Sequence, residues 1–196
     1  MKNRILRRII GLMAVLVIVG PTLQAQNQKS LKLSDFNLKI EGTSSLHDWE
    51  MEVNEVEGYT QTLFNSPTVA GIEDAEIVVK VKSIKSDKSL MNKKTYNALK
   101  ADDYSEISFE MQSVNDLKSS GSQFSGKALG DLTIAGKSER VLIPFKGKVN
   151  NNGSGITVLG EYSLNMTEYD VEPPKAMMGS IKTGEDVTLE YEFTFK

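Results

Sequence analysis

From Leu31 to Phe195 the sequence repeatedly alternates apolar with polar residues, and this pattern constrains the fold more than any other feature. A period of two is typical of a strand with one buried face and one solvated face. Eight segments show it, beginning near residues 36, 47, 75, 107, 124, 141, 156 and 187. The last is the clearest, because its apolar residues alternate with acidic residues and threonines without a break. The pattern therefore predicts an all-β protein.

Short polar links join most of these segments, and they carry turn-forming residues, as in Ser119–Ser122, Ala135–Ser138 and Asn150–Gly155. Links this short connect antiparallel neighbours, since parallel strands need long crossovers. Only one short helix is predicted, from about Met91 to Ala101. Eight antiparallel strands can form a sandwich or a closed barrel, and closure removes the exposed edges. We therefore expect an eight-stranded antiparallel barrel, wide enough to be filled by side chains or to hold one small ligand.

The N-terminus has the layout of a secretory signal. Basic residues from Lys2 to Arg8 precede a short apolar run at 9–19, and the small residue Ala25 marks a cleavage point. The sequence thus predicts a signal peptide at 1–25, a mature domain at 26–196, and a periplasmic or secreted location. An uncleaved N-terminal anchor is the alternative. The chain has no cysteine, so a lipidated cysteine anchor and thiol redox chemistry are excluded.

Charge argues against nucleic acid as a partner. The chain carries 23 basic and 26 acidic residues, and cleavage after Ala25 would remove four of the basic ones. The acidic domain that remains would repel a polyphosphate, and no basic cluster is left to bind a membrane surface. We therefore predict neither a nucleic-acid partner nor a stable membrane anchor.

Catalytic and metal-binding patterns are absent from the sequence. His47 is the only histidine, and in a regular strand the adjacent Asp48 would point to the opposite face, so the two form no catalytic dyad. Zinc needs several histidine or cysteine ligands, and the acidic pairs at 102–103 and 185–186 lack calcium-loop spacing. No enzyme activity, cofactor or metal is predicted.

The segment from His47 to Val53 reads as a strand with His47, Trp49, Met51 and Val53 on one face. This face is either ordinary core or the lining of a ligand-holding barrel. Several positions in phase with this apolar face are glycine, namely Gly42, Gly126, Gly130, Gly147 and Gly160. These glycines either leave volume empty inside the barrel, which would favour a cavity, or permit the strands to coil.

If the barrel holds a ligand, the apolar phase of the strands predicts its lining. The predicted lining residues are Trp49, Met51, Ile77, Phe109, Met111, Phe145, Tyr162 and Tyr191, with His47 as a polar contact. The loop Tyr169–Gly179 is rich in methionine and proline. It is expected either to plug one end of the barrel or to act as a lid over it, bringing Met177 and Met178 to the ligand.

Four runs together resemble the YceI-like family, the polyisoprenoid-binding exported proteins of bacteria. They are Thr43–Trp49, Met91–Phe109, Gly130–Lys137 and Met178–Val187. One departure is Ser105, where many relatives carry proline. The resemblance implies that 26–196 is a YceI-like domain with a lipocalin-like antiparallel barrel.

What the resemblance implies about function is the sequestration or transport of an isoprenoid or similar long-chain amphiphile inside the barrel. The alternative is an exported stress-protection or protein-interaction module whose barrel is filled by its own side chains. Both a monomer and a homodimer remain open.

Overall fold

The computed structural model describes residues 27–150, 153–176 and 179–196. Within these ranges the chain forms one α-helix, α1 (Ser89–Ala98), and short 3₁₀ turns at Val81–Ser83 and Met166–Tyr169. The strands are β1 (Asn27–Ser44), β2 (Trp49–Val53), β3 (Val56–Asn65), β4 (Thr68–Lys80), β5 (Ile84–Lys85), β6 (Glu106–Ser120), β7 (Gln123–Ile134), β8 (Lys137–Asn150), β9 (Gly155–Asn165), β10 (Lys175–Ala176) and β11 (Ile181–Phe195). The predicted signal peptide lies outside the described residues. Two of the predicted ligand-binding residues, Met177 and Met178, also lie outside them.

Eight long strands close into an antiparallel barrel in the order β1, β3, β4, β6, β7, β8, β9 and β11, with β11 pairing back onto β1. The closing ladder runs from Leu33 opposite Phe195 to Ser44 opposite Thr183. β1 is long enough to serve three partners, because its first part pairs with β3 and its later part with β2 and β11. The predicted eight-stranded antiparallel barrel is confirmed.

The identity of one barrel strand was predicted wrongly. The segment 47–53 supplies only the five-residue β2, which pairs with β1 and β5, and the eighth barrel strand is β3. Two of the fully buried positions of β3 are Thr60 and Thr62, whose hydroxyl oxygens lie 3.3 Å apart. Threonine favours strands but is only weakly apolar, so β3 shows no clear hydrophobic alternation.

The two ends of the barrel interior are packed differently. At the end where β3 finishes and β7 begins, which we call the closed end, phenylalanines fill the interior. Phe64, Phe124, Phe145 and Phe195 are all buried there, and the rings of Phe124 and Phe145 meet edge to face at 6.2 Å. The opposite, open end lies where β7 and β9 finish, and its walls carry smaller aliphatic residues such as Leu132, Leu164 and Val187.

The inward glycines leave no empty volume, contrary to one of the two expectations. Each lies beneath an aromatic side chain of a neighbouring strand, so that an added Cβ would collide with it. The pairs are Gly42 with Trp49, Gly126 with Phe145, Gly130 with Phe109, Gly147 with Phe124, and Gly160 with Tyr191. Pairing glycine with an aromatic residue lets a strongly coiled sheet close while the glycine backbone stays covered.

Helix α1 begins at Ser89 and ends at Ala98, slightly earlier than predicted, and the chain turns back at Lys100 in a left-handed conformation. It is the only α-helix among the described residues, and no helix there is long and apolar enough to cross a membrane. Met91 and Leu99 pack toward the core at the open end, yet no residue of the helix is fully buried. The helix therefore lies over the open end and contacts the core without being buried in it.

Candidate ligand-binding site

A cavity of about 360 Å³ lies between α1 and the open end of the barrel. Its inner wall comes from inward residues of the barrel strands, including Leu38, Ile107, Leu132, Leu164 and Leu189. Its size falls within the range of roughly 300–1,000 Å³ typical of small-molecule sites. The exposed residues of its lining belong to the loop between β1 and β2, to the start of α1 and to β10, and they form the mouth of the cavity. The arrangement suits a ligand whose apolar part enters the barrel.

The loop from Ser44 to Trp49 builds one side of the cavity mouth. The Ser44 hydroxyl donates to the carbonyl oxygen of His47 at 2.7 Å and accepts from the backbone N–H groups of Leu46 and His47. This turn places Leu46 at the mouth with 65% of its surface exposed. An apolar side chain held so far into solvent at a cavity mouth is well placed to contact a ligand.

Trp49 forms the adjoining wall. Its indole Nε1 donates to the carbonyl oxygen of Thr43 at 2.9 Å, and its ring covers Gly42, the residue directly opposite it on β1. These two contacts fix the ring in the cavity wall. The neighbouring Met51 is buried, and the Thr95 hydroxyl of α1 donates to its sulfur at 3.3 Å, which ties the helix to β2.

A 3₁₀ turn after β9 supplies a further part of the wall. The side chain of Asn165 caps the turn by accepting from the Thr167 backbone N–H at 2.9 Å, and Asp170 ends it in a left-handed conformation. The turn carries Tyr169 into the interior, where only 1% of its surface is exposed. Burial raises the pKa of the Tyr169 hydroxyl far above its ordinary value, so the group is a neutral phenol.

His47 lies at the mouth rather than within a strand, because β2 begins only at Trp49. Its Nδ1 donates to the backbone carbonyl oxygen of Asp48 at 2.6 Å. This bond fixes the proton on Nδ1 and leaves Nε2 available to a ligand. Within the described ranges, no group of three histidine or acidic side chains is arranged to hold a metal ion.

The structure brings three of the predicted site residues, His47, Trp49 and Met51, together in the wall of this cavity. Six others lie elsewhere. Met111 and Phe145 belong to the phenylalanine cluster at the closed end, and Ile77 packs against it. Phe109 packs between the closed and open ends.

Tyr191 and Tyr162 also lie away from the cavity wall. The ladder between β8 and β9 stops at Lys146, and the Tyr191 hydroxyl donates to the carbonyl oxygen of Pro144 at 2.7 Å, next to the place where pairing ends. The Tyr191 ring stacks on Phe193 at 5.4 Å. Tyr162 is half-buried beside the cluster that contains Tyr169, and burial raises the pKa of its hydroxyl. Strand parity identifies inward residues but does not say at which end of the barrel they lie.

Several residues of the mouth were missed by sequence reasoning, most of them on α1. Leu90, Met91, Lys94 and Ala98 line the cavity, and Leu90 is 63% exposed. The sequence predicted the helix but assigned none of its residues to the site. A stripe that leaves a leucine exposed beside lysines is the signal that could have indicated a ligand-binding face.

Solved structures share this fold. The polyisoprenoid binding domain from Saccharophagus degradans, implicated in plant cell wall breakdown, superposes with a TM-score of 0.67 at 12% identity over 87% of this chain and 98% of that one. BcnA of Burkholderia cenocepacia gives 0.62 at 17% identity, covering 81% and 95%. The YCEI protein of Campylobacter jejuni gives 0.54 at 16% identity, covering 72% and 81%.

The sequence itself carries the family assignment. No curated protein matches the chain significantly. The family model of the YceI-like domain matches residues 31–195, nearly all of the barrel. The chain therefore belongs to the YceI-like family, as the four sequence runs indicated.

Proposed function

We propose that this protein is an exported, non-enzymatic binding protein that holds an isoprenoid or similar long-chain amphiphile in the cavity at the open end. The observation that carries the proposal is the apolar cavity of about 360 Å³ that opens to solvent. The alternative, an interaction module, requires a barrel that is filled by its own side chains. Phenylalanines fill the closed end in this way, but the open end contains the cavity. Most residues of the cavity wall are apolar, which supports the binding of an apolar chain.

The affinity for such a ligand would come mainly from removing apolar surface from water, at about 25 cal/mol per Å² before the cost of ordering the ligand. Leu46, in the loop between β1 and β2, and Leu90, on α1, both line the cavity and are more than half exposed. A chain lying between them would shield both. The fold shared with a domain described as polyisoprenoid binding supports an isoprenoid as the first ligand to test.

Trp49 provides the test, since it is the only tryptophan and its ring lies in the cavity wall. Titration with the isoprenoid alcohol farnesol is expected to shift Trp49 emission to shorter wavelength, saturably and with one ligand per chain. An unchanged spectrum, together with no heat of binding in calorimetry, would contradict the proposal.

Export is the second part of the proposal, and the basic start, the apolar run and Ala25 support it. We expect cleavage after Ala25, with Gln26 as the new N-terminus. Intact-mass measurement of the protein recovered from the cell envelope checks this. A mass that retains residues 1–25 would contradict it.

A further inference from the structure

The charged residues of the cavity wall are all of one sign. Lys88, Lys94 and Lys175 line the cavity near its mouth, beside His47. No aspartate or glutamate of the described residues lines it, although acidic residues outnumber basic ones, 26 to 23, in the whole chain. Lysine is therefore in excess around the mouth of the cavity, whereas acidic residues are in excess over the whole chain.

The lysines come from two elements that meet across the mouth. The Lys94 ammonium of α1 donates to the backbone carbonyl oxygen of Lys175 on β10, so the side chain of Lys94 reaches from the helix to β10. Lys182 lies directly opposite Lys175 in the ladder between β10 and β11. Like charges directly opposite each other in a ladder are unfavourable, and a bound anion would relieve this repulsion.

These ammonium groups have donors available to a ligand, since an ammonium has three and Lys94 uses one of them for the Lys175 carbonyl oxygen. Lys175 pairs with Glu172 at 2.8 Å, but the Glu172 side chain is 81% exposed, and an ion pair so close to solvent is weak and easily exchanged. Within the described residues, the Lys88 ammonium has no hydrogen-bond or ion-pair partner. Lys94 is half-buried, which strengthens its attraction for a negative charge.

We propose that the cavity selects amphiphiles with an anionic head, a carboxylate or a phosphate monoester, held at the mouth by Lys88, Lys94 and Lys175 while the apolar chain fills the barrel. This inference rests on the proposed function and specifies its ligand. Lysine offers three donors for charge-assisted hydrogen bonds, which are stronger than neutral ones. The Nε2 atom of His47 is a further contact for the head.

The test compares three ligands with the same isoprenoid chain, namely farnesol, farnesoate and farnesyl phosphate, titrated against Trp49 emission below their micelle concentrations. The wild-type protein is expected to bind at least one of the two anions about tenfold more tightly than farnesol, with a preference that shrinks as salt is added. Comparing the anions shows whether the carboxylate or the phosphate is the better head.

The variant K88Q/K94Q/K175Q is expected to lose this preference, because its affinity for the favoured anion falls about tenfold, toward the affinity for farnesol. Its matched control is K85Q/K93Q/K148Q, which removes the same charge from exposed lysines that do not line the cavity. The control should keep the wild-type preference, and melting curves check that both variants fold.

Two results would overturn the inference and separate it from the proposed function. Binding of all three ligands with equal affinity refutes the anionic head but leaves a neutral amphiphile in the cavity. An equal loss of preference in both triple variants refutes the assignment of the head to Lys88, Lys94 and Lys175 and also leaves the proposed function standing. Binding of none of the three refutes the proposed function as well. If the cavity-mouth variant fails to fold, the wild-type preference and its salt dependence still decide the question.

Discussion

Replacing Phe145 with aspartate is expected to unfold most of the protein at room temperature. Phe145 is 7% exposed, meets Phe124 edge to face, and covers Gly126, where an added Cβ would lie 3.0 Å from the ring. Truncating a buried phenylalanine costs about 3–5 kcal/mol, and a buried unpaired carboxylate adds to this cost. The total is comparable to the whole stability of a typical domain, about 5–15 kcal/mol.

The matched control is Lys146→Asp at the adjacent position, which is exposed on the outer face of β8. It reverses a charge without entering the core, so the free energy of unfolding should change by no more than about 0.5 kcal/mol. Urea unfolding followed by circular dichroism compares the two variants. Similar midpoints for both would mean that the inward and outward faces of β8 are assigned wrongly.

Replacing Ala98 with phenylalanine is expected to abolish ligand binding while the fold survives. Ala98 lies on α1 and lines the cavity, so a phenylalanine there would fill part of the cavity volume in which we propose the ligand binds. We expect at least a tenfold loss in affinity for farnesol, equivalent to about 1.4 kcal/mol. Phenylalanine is a poorer helix former than alanine by no more than about 0.7 kcal/mol, so the melting temperature should fall only slightly.

Asn97→Phe is the control for Ala98→Phe, since Asn97 is the preceding helix residue and is exposed. Both variants place phenylalanine in the last turn of α1, and neither adds a tryptophan that would interfere with Trp49 emission. The Asn97 variant should bind farnesol as the wild type does. Equal affinities for all three proteins would mean that the ligand does not enter the cavity beneath α1.

Much of the barrel could be predicted from local sequence because burial on one face leaves a period of two. β11 and β8 show this clearly, with valine, leucine and phenylalanine inward and charged residues outward. β3 could not be recognised in this way. Its buried positions include Thr60 and Thr62, whose hydroxyls find partners inside the protein, Thr60 donating to the carbonyl oxygen of Asp74 at 3.1 Å.

The site was less predictable because a cavity depends on which residues meet across the barrel. Phe145 and Trp49 have the same inward parity, but the register of the strands places Phe145 at the closed end and Trp49 at the open end. Glycine was also ambiguous in sequence. Gly147 has an empty side-chain position, yet the ring of Phe124, directly opposite on β7, occupies the space.

Native mass spectrometry of the protein as it is purified from its own cells tests the central claim most directly. We expect a population with one amphiphile bound per chain, which is released on denaturation and identified by organic extraction. The Ala98→Phe variant, purified in the same way, should carry none. A wild-type protein that always has the mass of the bare chain, and whose Trp49 emission does not respond to added amphiphile, would contradict the claim that the open end of the barrel is a ligand-binding site.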